Sequence, residues 1–508
     1  MKNMIFRLVA LLLVLCVFAT ALVACKNTDT TNTNTSGKDV YTEEPGEVYE
    51  FPREIVLEDK ELSIFNFSEY YNAIIYTDTE EYSDNISTAV YDRNAYFFDK
   101  YGIDVYENQM VFTGREASFA ESTALFTNLR AAGDDIYDIA YISINEQYTL
   151  LASGIMTDLT TISTLDLTSD WWDPQLSGSY VLSNGAQYVA SSALNLMPYE
   201  MTWLVYFNQD MAEEKGIPNL FDYVRNGEWT IETMMRVITD YGVIQPDSVT
   251  GDYTFDASGT ATYGVAVHNS TGAVMMQGFD ITFIQKQDKE EQPYKFACSN
   301  SDAFASGSEL LQTLCSRNTG MAIGSDYEAD LVNHPEGYVP VFHSNRALFL
   351  NAELKSGMTL KKILNSEVYY GMLPLPKLDI EQKNYYTTPS ASTMLLGIPT
   401  MNDEKEATGL AVDVLSYLSY RDLLPVYYDD YVTHRNASDK ESMEMLNDYI
   451  MPGRRFDLGI IYGWTKTFTD TYSKIIYTQQ AYNGSTLANI MTNHSKTVNE
   501  DIKKFFKS

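Results

Sequence analysis

Residues able to carry out chemistry by themselves are few and scattered in this 508-residue chain. The five histidines (His268, His334, His343, His434 and His494) stand at no metal-ligand spacing, so no metal is expected. No Gly-x-Ser-x-Gly elbow, His-Glu-x-x-His pair or phosphate-cradling glycine loop occurs. Asp429-Asp430 is the kind of carboxylate pair that glycosidases use, but among 69 acidic residues such a pair is ordinarily a solvated face. The expectation is a protein without catalysis and without a cofactor. Aromatic surface, by contrast, is abundant, with 5 Trp and 38 Tyr. Most of these rings must fill cores or sit half-buried, and a pocket uses only a few of them.

One reactive side chain does have a defined setting. Lys2 and Arg7 precede an apolar run from Leu8 to Ala24, and the run ends in Leu22-Val23-Ala24-Cys25. That ending resembles a bacterial lipobox, which implies acylation of the Cys25 thiol and cleavage just before it. Residues 1–24 are then a signal peptide. The alternative is a retained transmembrane helix, since the run approaches the ~20 residues a span requires. Small residues before the cysteine, and no basic stop-transfer cluster after it, favour the lipid anchor. Residues 25–54 read as the lipidated cysteine and a flexible linker. The stretch Lys26–Lys38 has no apolar side chain to repay the entropy of ordering it. About 25 such residues reach roughly 25–30 Å, enough to clear lipid headgroups. The expected location is the outer face of a cell membrane, with the lipid as the only membrane contact.

The formal charge is −34, and losing Lys2 and Arg7 with residues 1–24 takes it to −36. So acidic a surface repels nucleic acid and anionic membranes and excludes both as partners. With Cys16 removed and Cys25 acylated, only Cys298 and Cys315 remain. Outside the cytoplasm they can pair, worth about 3 kcal/mol for a loop of that size, or stand as buried thiols. The sequence leaves both open.

Hydrophobic periodicity supplies the frame. Glu61–Phe67 is a β-rich run. Val90, Asn94, Phe97, Phe98 and Tyr101 share a helical face closed by Gly102. Ile103–Tyr106 reads as a strand. Phe119, Thr123, Phe126 and Leu129 share another helical face, closed by Gly133, and Ile136–Ile144 is apolar on both sides. This β-α-β-α-β order predicts an α/β fold with a parallel sheet. Ligands of such sheets bind beyond the carboxyl ends of the strands, which directs attention to Asn66, Ser68 and Tyr70 after the first strand and to Ser143 and Asn145 after the third. Thr230 is an expected N-cap ahead of Ile231, Met234, Met235 and Ile238, with Trp229 packing beside it. Further strands are expected at Tyr263–Val267 and Arg346–Leu350. Tyr370–Lys377, with two prolines, reads as an extended connection.

Several of these blocks, in order, resemble the family 1 (carbohydrate-type) extracellular solute-binding proteins of bacterial ABC importers. They are Asp135–Ala140 followed by Leu151–Leu159, then Trp171-Trp172-Asp173, then Tyr206–Met211 running into Gly216-Ile217-Pro218 and Gly227–Thr230, and finally Tyr370–Lys377 and Ile398-Pro399. Gln209 stands where many members carry lysine, at a position expected to be structural. The resemblance implies a two-lobed, periplasmic-binding-protein-like (type II) fold with a ligand cleft between the lobes. Lobe one would take 55–188 with the return segment 371–420, and lobe two 189–370 with the C-terminal segment 421–505. The crossovers would fall at Gln187–Ala190, at Gly371–Pro376 and near Tyr420, and the lobes would close by a hinge.

The implied function is capture of a sugar or oligosaccharide and its delivery to permease subunits, by a monomer and without chemistry. The alternatives are a receptor for another solute such as a peptide, an exported polysaccharide-active enzyme, and a surface adhesion or sensing protein. By that analogy Trp464, in Tyr462-Gly463-Trp464, is the expected cleft aromatic of lobe two. Of Trp171 and Trp172 one is expected to face the cleft, with Trp172 carried as the candidate. Tyr188 flanks the first crossover. Arg346 offers a bidentate donor or a structural ion pair. Ser390 and Ser392, near the lobe-one return, offer hydroxyls or a helix cap.

Overall fold

The computed structural model describes residues 49–66, 85–109, 115–144, 147–254, 258–289, 292–316, 318–324, 338–358, 360, 368–429 and 440–507. The expected signal peptide over 1–24, the expected linker as far as residue 48, with Cys25, and the candidates Ser68, Tyr70 and Asn145 lie outside them.

The first lobe forms as its periodicity dictates. β1 (Glu61–Asn66), α1 (Asn85–Tyr101), β2 (Asp104–Gln109), α2 (Arg115–Ala132) and β3 (Ile139–Ser143) follow in order. β1 pairs in parallel with both β2 and β3. Gly102 and Gly133 follow the two helices with φ of 67° and 74°, left-handed positions that stop a helix without a Cβ clash. All five residues of β3 are buried, as a strand covered on both faces must be.

The second lobe is a five-stranded sheet in the order β10-β4-β9-β5-β8, built from β4 (Trp203–Asn208), β5 (Tyr263–Val267), β8 (Ala322–Gly324), β9 (Ala347–Glu353) and β10 (Tyr370–Leu373). A small hairpin of β6 (Ile284–Lys286) and β7 (Tyr294–Phe296) stands apart. Asn208 ends β4 and caps α3 (Gln209–Lys215), accepting from the Met211 amide at 2.8 Å. Thr230 caps α4 (Ile231–Asp240) as expected, and Trp229 is fully buried with its Nε1 donating to the Pro374 carbonyl. α5 (Thr271–Gly278) follows β5, and α6 (Ser301–Leu314) packs against α5 and α4.

Tyr370–Leu373, expected to open the return into lobe one, is an edge strand of the second sheet, antiparallel to β4. Pro374 and Pro376 end it because they lack the N–H that a ladder needs. The return comes later. β11 (Met394–Gly397) joins β3 antiparallel and completes the first sheet in the order β11-β3-β1-β2. α7 (Lys405–Leu418) follows, and residues 419–427 still pack against α1 rather than leaving at Tyr420. The chain is back beside the second sheet by Ser442, whose Oγ accepts from the Met372 amide at 3.1 Å. α8 (Lys466–Thr478) packs on α5 and α6, and α9 (Ile490–Phe505) closes over α8 and β7.

No disulfide joins Cys298 to Cys315. Cys298 precedes the 14-residue helix α6 and Cys315 caps its far end. A helix of that length holds them about 20 Å apart, far beyond disulfide reach. Among the described residues no helix is long and apolar enough to cross a membrane.

Candidate ligand-binding site

Two chain crossings between the sheets run side by side. Ala190 and Leu396 exchange backbone hydrogen bonds at 2.9 Å, the Ser390 amide donates to the Met201 carbonyl at 2.8 Å, and the Trp203 amide donates to the Thr388 carbonyl at 3.1 Å. This two-stranded ribbon carries the chain from β3 to β4 and back from β10 to β11. A paired ribbon of this kind can flex along its length while its ends stay packed in their own sheets.

A cavity of about 340 Å³ opens against this ribbon, within the usual range for small-ligand sites. Its walls come from ribbon residues 388–392, from the start of α5, from one face of α8, and from Trp203, Phe456 and Tyr482. Trp203 belongs here because β4 starts at the ribbon, and its ring packs on the His268 imidazole at 5.6 Å. β9 runs antiparallel to β4 and β5 parallel to β9, so the end of β5 and the start of α5 arrive at the same edge. The face of α8 is a polar stripe, Lys466, Thr469, Asp470, Ser473 and Lys474, at the i, i+3, i+4, i+7, i+8 spacing of one helix side. Phe468, Tyr472, Ile475 and Ile476 are buried on the other side. Gly272 lets α5 approach closely, since a Cβ there would meet Ile476 at 3.0 Å. The Ser473 hydroxyl then reaches the Ala273 amide at 3.2 Å and ties the two helices together.

Chemically, the lining consists of hydroxyls, amides, two ammoniums and one carboxylate between aromatic walls. Such groups hydrogen-bond a hydroxyl-rich ligand at its rim and cover its flat faces. Beside this edge lies a charged cluster, in which Lys355 pairs with the buried Glu353 at 2.8 Å. Burial pushes Glu200 up to about 7; Lys355 opposes the rise and Glu353 adds to it.

Of the residues singled out from sequence, Ser390 and Ser392 line the cavity, and the Ser392 amide donates to Ser390 Oγ at 3.4 Å. Ser143 is fully buried at the end of β3, opposite Met394 and so close to Ser392. Asn66 is buried and donates from Nδ2 to Glu107 Oε1 at 2.5 Å.

The others stand elsewhere. Trp464 is buried among Tyr462, Tyr294, Phe505 and Phe506 and is not part of the cavity lining, because α9 folds back over the loop that carries it. Trp172 is fully buried, with Nε1 donating to Asp413 Oδ1 at 2.8 Å; the neighbouring Trp171 donates to the same oxygen at 2.7 Å. Tyr188 is half-buried with its ring edge-on to Phe505. Arg346 precedes β9 at the end of the sheet away from the ribbon, where its Nε donates to the Ala261 carbonyl at 2.8 Å. Glu353 lies seven residues further along, roughly 20 Å away.

Sequence reasoning missed Trp203, Phe456, Tyr482, Gln277 and the α8 face. The α8 stripe was readable as polar residues at helical spacing opposite Phe468 and Tyr472. Trp203 carried no such mark, because β4 is buried throughout and its pattern does not say which end meets the ribbon.

No family model matches the chain, and no curated protein matches it. Solved structures do match in fold. The galacto-N-biose/lacto-N-biose I-binding protein of the ABC transporter from Bifidobacterium longum, solved with lacto-N-biose, superposes with a TM-score of 0.55 at 12% identity, covering 88% of this chain and 97% of that one. UgpB from Mycobacterium tuberculosis, in complex with glycerophosphocholine, gives 0.53 at 14% identity over 87% and 98%. The GacH receptor of Streptomyces glaucescens, described unliganded and with acarbose, gives 0.52 at 11% over 86% and 98%. These are binding proteins and receptors, matched here along nearly their whole length. The chain has the two-lobed α/β fold of these binding proteins.

Proposed function

We propose that this protein captures a carbohydrate in the cavity against the interlobe ribbon and presents it to the permease of an ABC importer, without performing chemistry on it. The observation that carries the reading is the composition and position of that cavity: aromatic walls, a rim of hydroxyls and amides, and one side made of the returning crossing, residues 388–392, which is itself paired with the first crossing. A ligand touching ribbon residues 388–392 and helices α5 and α8 can couple binding to hinge closure. Ser390 and Ser392 are its ribbon contacts, and Asn66 and Ser143 mark the carboxyl ends of β1 and β3, from which lobe one would cover it. The sugar-binding structures that share the fold support the choice of ligand class.

The same reading has the mature protein outside the cell membrane, tethered by a lipid on Cys25 with the linker up to residue 54 as the leash. A monomer suffices, because all the groups named come from one chain. Affinity in the micromolar range, about −8 kcal/mol, would hold the ligand yet permit its release.

A glycan panel read by thermal shift and calorimetry tests the binding role. A saturable rise in melting temperature with an intact sugar is expected, and release of shortened product with turnover would overturn it. Metabolic labelling with a fatty acid tests the tether: label is expected on the parent protein and absent from Cys25→Ser.

A further inference from the structure

The charge of the cavity runs against that of the chain. In a protein of net charge −34, the ionisable residues of the lining are Lys466, Asp470, Lys474 and Tyr482. Lys466 and Asp470 make a loose pair at 3.7 Å, with the Asp470 carboxylate 62% exposed and the Lys466 side chain 27% exposed. Lys474 lies one turn further along the same face and is half-buried. Among the described residues its ammonium has neither an ion pair nor a hydrogen bond. A partly desolvated ammonium facing a cavity attracts a negative charge more strongly than one in open water.

On the adjoining wall, formed by α5, Gln277 is 2% exposed, and its Oε1 has no hydrogen-bond partner. A buried acceptor left in this state is unfavourable until a donor arrives. Asn269, Ser270 and Ala273 at the start of α5, which carries Gln277, also line the cavity. The Ser270, Thr271 and Ala273 amides are already bonded to His268 and Ser473, so what this end offers a negative charge is the helix dipole.

We propose that the ligand is an acidic sugar carrying a single negative charge on the unit bound here, a carboxylate or a sulfate ester. A ligand hydroxyl donates to Gln277 Oε1, and the anionic group is held by the Lys474 ammonium near the start of α5. One unpaired ammonium matches one negative charge, which disfavours the nearly dianionic phosphomonoester. This inference rests on the cavity being the carbohydrate site proposed above.

Calorimetry on the full mature protein, with trigalacturonate, its methyl ester, neocarrabiose sulfate and neocarrabiose, tests it. The charged member of at least one pair should bind roughly tenfold or more tightly than its neutral counterpart. The preference should weaken as salt rises, disappear in Lys474→Met and persist in Lys474→Arg. Which pair shows it separates the carboxylate from the sulfate. Gln277→Met should weaken charged and neutral members of a pair alike, and thermal melts report whether each variant is folded. Equal affinity for charged and neutral members, or no binding by either charged probe, overturns the acidic-sugar inference. If neutral glycans from the wider panel still bind, the receptor reading stands without it; if no glycan binds, both fall.

Discussion

Arg454 and Asp173 form an ion pair at 2.8 Å with both side chains almost wholly withdrawn from water. Arg454 also lies over the Tyr199 ring at 4.6 Å and donates from Nε to the Met451 carbonyl at 3.3 Å. Asp173 holds a left-handed backbone conformation at φ 48°, at the end of Trp171-Trp172-Asp173. Burial raises its pKa, and the Arg454 charge opposes that rise. The pair ties the Trp-Trp-Asp loop, which is anchored on α7 through Asp413, to the C-terminal segment. Removing one partner leaves a buried charge alone, so Arg454→Met should lower unfolding free energy by about 3–5 kcal/mol in urea denaturation. Arg454→Met with Asp173→Asn, which removes the charge and tolerates the left-handed backbone, should recover part of that loss. Equal losses for the single and double variants would show that the charge pair is not the cause.

Asp413 collects three donors, Trp171 Nε1 at 2.7 Å, Trp172 Nε1 at 2.8 Å and the Tyr49 hydroxyl at 2.9 Å. Tyr49 also stacks on Tyr417 with centroids 4.1 Å apart, so the first described residue is fastened to α7 by ring and hydroxyl together. Asp413→Ala leaves the donors without an acceptor and should reduce stability by at least about 1–3 kcal/mol. Tyr49→Phe keeps the stacking and should lose only about 1 kcal/mol. Melting curves of the two variants, compared with the parent, check the ranking.

Glu200 gives stability a pH dependence of definite sign. Its folded pKa of about 7 lies above the ordinary 4.5, so the folded state binds the proton more tightly than the unfolded chain. Stability therefore falls as pH rises from about 4.5 to about 7 and gains nothing from this carboxylate above that window. Glu200→Gln retains the shape without the charge. It should leave the melting temperature nearly unchanged near pH 5 and raise it near pH 8. A rise of equal size at both pH values would assign the effect to packing instead.

Gly463 accepts the Tyr148 ring against its backbone, where a Cβ would lie 2.1 Å from ring carbon, and its φ is +69°. Gly463→Ala must therefore strain the backbone and displace Tyr148. The expected loss is at least about 1–2 kcal/mol from the backbone alone. Combining it with Tyr148→Ala should relieve the steric part, which a double-mutant cycle measures.

Trp203 and Trp464 separate binding from stability. Trp203 lines the cavity, so Trp203→Phe, which preserves most of the volume, should weaken sugar binding several-fold. Trp464 is packed among four aromatic rings, so Trp464→Ala should cost about 3–5 kcal/mol of stability. The sugar affinity of its folded fraction should be unchanged, and calorimetry at low temperature checks this.

Local pattern carried the first lobe a long way. Each expected strand and helix from Glu61 to Ser143 forms within a few residues of its expected bounds, because 3.6- and 2-residue periodicity with glycine stops is written in adjacent side chains. The Thr230 cap and the buried Trp229 were legible for the same reason. Tyr370–Lys377 was harder. Its prolines mark an extended path, but the pairing of Tyr370–Leu373 with β4 joins residues more than 160 positions apart, and no short window contains that information.

The sequence by itself determined the element types, the α/β class, the acidic surface and the expectation of a lipid on Cys25, all properties of composition or of neighbouring residues. Tertiary structure alone decided which end of each strand meets the ribbon and hence which side chains converge. Trp464 and Arg346 have suitable chemistry, yet α9 covers one and the direction of β9 carries the other to the far end of its sheet. Lys474 and Gln277, unremarkable in sequence, line one cavity because Gly272 lets α5 and α8 pack closely. A binding site is a relation among distant segments, and only the packed chain specifies that relation.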